Sequence, residues 1–156
     1  MKSKVVIAPA EPRHVEAMRG RFRAQDDAEC RAASGFSADR EAMAAVMAPG
    51  LRWTAFAGGE PFCVFGVTPK SMLLSTGCPW LLGTDAVLDN WVGVLKLSRG
   101  YVKQMLQPFD KLENYVDARN TVSMKWLKWC GFSFDAAEPY GILGLPFHRF
   151  YMTKEV

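Results

Sequence analysis

The chain has 156 residues, 49% of them hydrophobic and 22% charged, with a formal net charge of +3. Disorder would need fewer apolar residues and more net charge, and the length fits one domain, taken as 1–156. The charge is too small to argue by itself for a polyanion, so nucleic acid is not an expected partner.

Cys30, Cys63, Cys78 and Cys130 are widely spaced and form no CxxC pair, and only His14 and His148 could assist them. No metal site is therefore expected, and the cysteines read as buried or half-buried free thiols of a reducing compartment. The apolar run after Lys4 is too short for a signal-peptide core, and no stretch approaches the ~20 apolar residues of a membrane span. The expectation is a protein of the cytoplasm, or of a particle assembled there, with no membrane partner.

Val5–Ile7 is β-branched and predicts a first strand that Pro9 and Pro12 end. Pro12 suits the first turn of a helix, and Val15, Met18 and Phe22 recur at helical spacing, predicting a helix to about Gln25. Asp26, Asp27 and Glu29 then form an acidic cluster. Ser37, with Asp39 and Glu41 behind it, starts a helix carrying Met43, Val46 and Met47, which Pro49-Gly50 stops.

Residues 52–56 and 61–67 read as a hairpin turning at Gly58-Gly59, with a third strand at 78–82. Asp89-Asn90 caps a long amphipathic helix marked by Trp91, Val94, Leu95, Ser98, Val102 and Met105, with Lys96, Arg99 and Lys103 on its wet side and Pro108 at its end. Residues 112–116 form a strand. Asn120 or Thr121 caps a short helix closed by Gly131, and strands follow at 132–134 and 148–152. The order predicts an α/β protein of mixed, α+β type: a central mixed twisted sheet of about six to seven strands with helices on both faces.

This order resembles that of the GNAT acyltransferases, and Asn120, Ser123, Trp126-Leu127 and Gly131-Phe132 resemble a stretch common in that family. By element order the likeness covers most of the chain; by motif it covers residues 112–134. A narrower likeness runs through residues 25–30, 61–69, 80–83 and 112–116. These resemble a family of small tailed-phage proteins, A-type internal virion proteins among them, that look like GNAT folds without a clear enzymatic assignment.

The first likeness implies acetyl-CoA, held at a glycine-spaced loop between the fourth strand and the long helix, where free amides and the helix N-terminus take the pyrophosphate. The matching residues 82–91 carry one glycine, no Arg or Gln, and both Asp85 and Asp89. Asp89 is expected to repel a pyrophosphate and to occupy the helix-start amides itself. The family's general acid, usually a Tyr seven residues after the Asn, falls on Leu127, which holds no proton to give.

Gly83, Thr84 and Asn120 are the residues left to touch a cofactor. Asn120 reads equally as a helix cap. Asp27 and Glu29 lie where acceptor sites of the family begin and could bind or deprotonate an amine; a solvated acidic loop is the plain alternative. Tyr115 is the candidate acid. Cys30 could be a nucleophile but has no His beside it in sequence.

Two functions follow from the likenesses, and a third reading, from Lys96, Arg99 and Lys103, is a nucleic-acid-binding accessory protein, for which a wet helix face is the plain alternative. One is a non-catalytic phage-type protein with no cofactor, working through contacts with other phage or virion proteins, in the host cell or the virion. The other is a divergent N-acetyltransferase that takes acetyl-CoA or CoA and acts on an amine. A homo-oligomer is compatible with either.

Overall fold

A computed structural model describes residues 4–155. Its elements in chain order are β1 (Val5–Pro9), α1 (Pro12–Met18), α2 (Ala24–Ser34), α3 (Ala38–Met47), β2 (Leu51–Ala57), β3 (Glu60–Ser71), β4 (Thr76–Gly83), α4 (Ala86–Asp89), α5 (Trp91–Leu106), β5 (Lys111–Asp117), α6 (Thr121–Cys130), β6 (Ser133–Phe134), β7 (Glu138–Tyr140) and β8 (Leu145–Thr153).

The strands make one mixed sheet in the order β1-β2-β3-β4-β5-β8-β6, with β7 also on β8. Its eight strands exceed the expected six to seven by the three-residue β7, too short and too interrupted by Pro139 to be read as a strand. β1 to β4 run as antiparallel neighbours, and Gly58 and Gly59, both at positive φ, close the β2–β3 hairpin. β5 is antiparallel to β8 along its full length.

Helices cover both faces. On one, α5 and α6 bury Val94, Val102, Met105, Leu127 and Cys130 against Phe65, Leu112 and Val116. On the other, α1 and α3 bury Val15, Met18, Ala42 and Val46 against Val64 and Leu82. The helix signals explain most of the boundaries. Ser37 Oγ accepts from Arg40 N at 3.3 Å, and Gly35 and Gly131 end α2 and α6 in the left-handed conformation.

The first helix is shorter than its periodicity predicts. Gly20, at φ 74°, breaks the run after Met18, and residues 24–34 form the separate helix α2. Asp26, Asp27 and Glu29 therefore sit on a helix rather than in a loop. Phe22, the last residue of the predicted stripe, instead makes an isolated bridge with Thr84 at the end of β4.

The feature that sets up everything else is the junction of β4 and β5. These parallel strands pair only at Thr76–Lys111 and Gly77–Leu112, and then diverge. Pro79 stands just past the last pair and has no N–H to continue the ladder. The Asn114 side chain spans the opening instead: its Nδ2 donates to Pro79 O at 2.7 Å and its Oδ1 accepts from Tyr115 N at 2.8 Å.

Gly66 shows how closely β2 and β3 approach. A Cβ there would lie 2.2 Å from Leu51 O, a ladder atom that cannot yield alone. Gly66→Ala is expected to cost about 1–3 kcal/mol, as overpacking does, read as a lower midpoint in chemical unfolding.

Candidate functional site

Where β4 and β5 part, a cavity of about 210 Å³ opens, lined by Glu29 and Cys30 of α2, Trp80 and Leu81 of β4, Tyr115 of β5 and Trp126 of α6. Its walls are mostly apolar and aromatic. Tyr115 is at its rim, stacked on Tyr140 with ring centroids 4.0 Å apart.

Diverging strands leave backbone groups without partners, and buried amides cannot stay so. In this chain α2 supplies the partners. Asp26 Oδ2 accepts from Gly83 N, at the end of β4, at 3.1 Å. Three residues further on the same face, Glu29 Oε1 accepts from Asp117 N, at the end of β5, at 2.6 Å. Gly83 O takes Arg23 N at 2.8 Å. One turn of helix thus holds both strand ends.

The clamp is embedded in a polar network. Arg23 is buried and its guanidinium meets Asp26 Oδ1 at 3.0 Å. Asn120, 1% exposed, donates from Nδ2 to Asp26 Oδ1 at 3.3 Å while its Oδ1 accepts from Ser123 N at 3.4 Å. Asp117 pairs with Arg119 at 2.7 Å. Asn120 is a helix cap, as its sequence position allows, and it is also the link between α6 and the α2 carboxylates.

Burial dominates the titration of the two clamp acids. It pushes Glu29 up to about 8, with the neighbouring Asp26 and Asp117 adding to the rise against the hydrogen bond from Asp117 N. Burial also raises Asp26, opposed first by the Arg23 charge. For Asp117 burial is likewise the largest influence, but the bonds and charge of Arg119 outweigh it and hold the carboxyl low. Glu29 is thus a neutral acid at pH 7 beside an apolar cavity.

The remaining sequence candidates fall in different places. Asp27, next to Asp26 on the helix, points away from the cavity. It accepts from Ala38 N at 2.8 Å and pairs with Arg31 at 2.8 Å, fastening α2 to the start of α3. The Ala38 amide and then Arg31 hold its pKa down. Asp27 and Glu29 therefore do not converge. Cys30 does line the cavity, but burial pushes its thiol up to about 12, which removes it as a nucleophile at neutral pH. Leu127 lies in the core, 4% exposed.

The loop expected to hold a pyrophosphate is closed on itself. Gly83 N is held by Asp26, Thr84 N by Phe62 O at 2.9 Å, Ala86 N by Thr84 Oγ1 at 3.3 Å and Val87 N by Thr84 O at 3.0 Å. A Cβ on Gly83 would lie 2.4 Å from Val87 Cγ2, so this glycine serves close packing. The expectation for Asp89 is corrected: it ends the short helix α4, and among the described residues no side chain caps the start of α5; Asn90 Nδ2 donates backwards to Ala86 O at 2.8 Å. Four amides of the loop that the resemblance assigns to a pyrophosphate, those of Gly83, Thr84, Ala86 and Val87, are thus bonded within the protein.

Sequence inspection missed Arg23, Asp117 and Arg119. Arg23 lies between two helices and carries no motif. The one available signal was the i,i+3 spacing of Asp26 and Glu29, which places both carboxylates on one helical face.

The architecture is that of the GNAT acetyltransferases: a single open mixed sheet with helices on both faces and a split between its central strands. An acetyltransferase of the GNAT family from Streptococcus pneumoniae superposes with a TM-score of 0.66 at 14% identity, over 97% of this chain and 100% of that one. Ard1 from Thermoplasma volcanium gives 0.69 at 11% identity, over 97% and 99%. The ribosomal-protein alanine N-acetyltransferase of Escherichia coli gives 0.64 at 13%, over 97% and 95%. No family model matches the chain, and no curated protein matches it in sequence. Likeness at this level establishes the fold. None of these three names a phage or virion protein.

The clamp gives a pH signature. Glu29 titrates near 8 in the folded protein and near 4.5 when unfolded, so the native state binds the extra proton between those values and stability falls as pH rises through 8. Unfolding midpoints measured between pH 6.5 and 8.5 should decline in the wild type. The decline should be shallower in Glu29→Gln.

Proposed function

We propose that this chain keeps the GNAT framework without acetyl-CoA turnover and acts through protein contacts, as a phage-type component of virion assembly or infection. The single observation that carries the non-catalytic part is the α2 clamp: Asp26 and Glu29 occupy the amides at the two strand ends that border the cavity. The closed 83–87 loop and the apolar Leu127 support the same reading. The phage assignment is supported by the sequence likeness at residues 25–30, 61–69, 80–83 and 112–116.

A second reading is an N-acetyltransferase of divergent type acting on an amine. The solved structures of like fold are acetyltransferases, and that comparison supports this reading more than the first. Glu29 adds to it: a carboxyl that titrates near 8 and lines a cavity holds a proton at neutral pH that it can give to a leaving group, and it can accept one from an amine only as it ionises toward pH 8. What weighs against it is that Glu29 is already bonded to Asp117 N, and that the Gly83, Thr84, Ala86 and Val87 amides are engaged within the protein.

Calorimetric titration of the purified protein with acetyl-CoA and with CoA separates the two. The first reading expects no heat at millimolar ligand, and Asp89→Gly should leave that silence unchanged because the loop stays closed. A micromolar Kd, roughly −8 kcal/mol, sinks it in favour of the enzyme.

A further inference from the structure

Packing α5 against α6 creates a surface that neither helix has alone. Lys96, Arg99 and Lys103 are exposed on α5, and Lys125 and Lys128 are exposed on α6. The two helices contain no Asp or Glu from Trp91 to Leu106 or from Thr121 to Cys130. The five cations of these two helices exceed the net charge of the whole chain, +3, so the remainder of the molecule is net acidic; Lys128 lies toward β6, its Nζ 5.7 Å from the centre of the Phe134 ring. Every ion pair among the described residues involves other cations; these five stay unneutralised.

An aromatic group lies at the seam. Trp129 is 42% exposed, and its Nε1 donates to Leu95 O at 3.1 Å, which fixes the ring across the interhelix groove. The Arg99 guanidinium lies 3.9 Å over that ring while its Nε donates to Trp129 O at 2.9 Å. Trp126 Nε1, donating to Ser98 Oγ at 2.7 Å, holds the helices in register beneath. The result is a pre-ordered Trp–Arg stack between two helices that each carry exposed lysines.

We propose that the outer face of α5 and α6 binds single-stranded nucleic acid, with the five cations along the phosphates and the Trp129–Arg99 stack against a base. Unpaired surface cations are the electrostatic footprint of phosphate binding. A stacking aromatic beside them distinguishes a strand with unpaired bases from an acidic peptide, which gains nothing from a π surface. Two helices lying side by side offer a broad face rather than one helix free to enter a major groove, which disfavours duplex.

The test is fluorescence anisotropy with a labelled thymidine oligonucleotide at rising salt. Binding is expected at low salt and should weaken more than tenfold between about 50 and 200 mM, as counterion release requires. The combined variant Lys96→Gln, Lys103→Gln, Lys125→Gln, Lys128→Gln should bind more than tenfold more weakly and with a shallower salt slope. Trp129→Leu should lower affinity while leaving the slope unchanged. Thermal melts check that the variants fold, and Lys103→Glu alone replaces the combined variant if it does not. Absence of binding by the wild type at low salt overturns the proposal. So does unchanged binding by the charge variants, or displacement by polyglutamate as readily as by unlabelled oligonucleotide.

Discussion

Two parallel strands that separate must do something with the backbone groups they expose. The response of this chain to that constraint shapes most of what surrounds the split. Asp26 and Glu29, one turn apart on α2, accept from Gly83 N and Asp117 N and so tie the ends of β4 and β5 to the same helix. Asn114 does the corresponding work nearer the junction through Pro79 O. Buried carboxylates in turn need their own partners, which accounts for a buried Arg23, a buried Asn120 and the Asp117–Arg119 pair in one neighbourhood.

That solution has a chemical consequence. Amides that bind a carboxylate or a carbonyl of the protein are not available to a ligand while those bonds hold. The fold of the acetyltransferases is present, and in this chain the Gly83, Thr84, Ala86 and Val87 amides between β4 and α5 are bonded within the protein. A fold does not by itself carry an activity, which rests on the chemistry of the site. Glu29 keeps the two readings in contact, since the same burial that makes it a structural acid leaves it titrating near 8, where it can exchange a proton close to neutral pH.

The two faces of the sheet divide the labour differently. On the α1–α3 face three arginines meet carboxylates: Arg31 meets Asp27, Arg19 meets Glu16 and Arg23 meets Asp26. On the α5–α6 face the cations are left unpaired around an exposed tryptophan. The weak net charge of the chain averages these two regions and conceals both.

The sequence by itself determined the order of the elements, most of their boundaries and the fold class, because apolar periodicity, proline and glycine act locally. Ser37, Asn120, Gly131 and the Gly58-Gly59 turn could each be read from a few neighbouring residues. It also marked the 82–91 loop as poor in glycine and rich in acid, and Leu127 as a residue without a proton. Only the tertiary structure decided that Asp27 and Glu29 diverge, that Asp89 caps nothing, and that Asp26 and Glu29 meet strands 57 and 88 residues away. It alone joined Lys125 and Lys128 to the cations of α5. The reason is the same in each case: a helix fixes which side chains share a face, but the partners of that face come from distant segments, and their burial then sets the charge state on which any function depends.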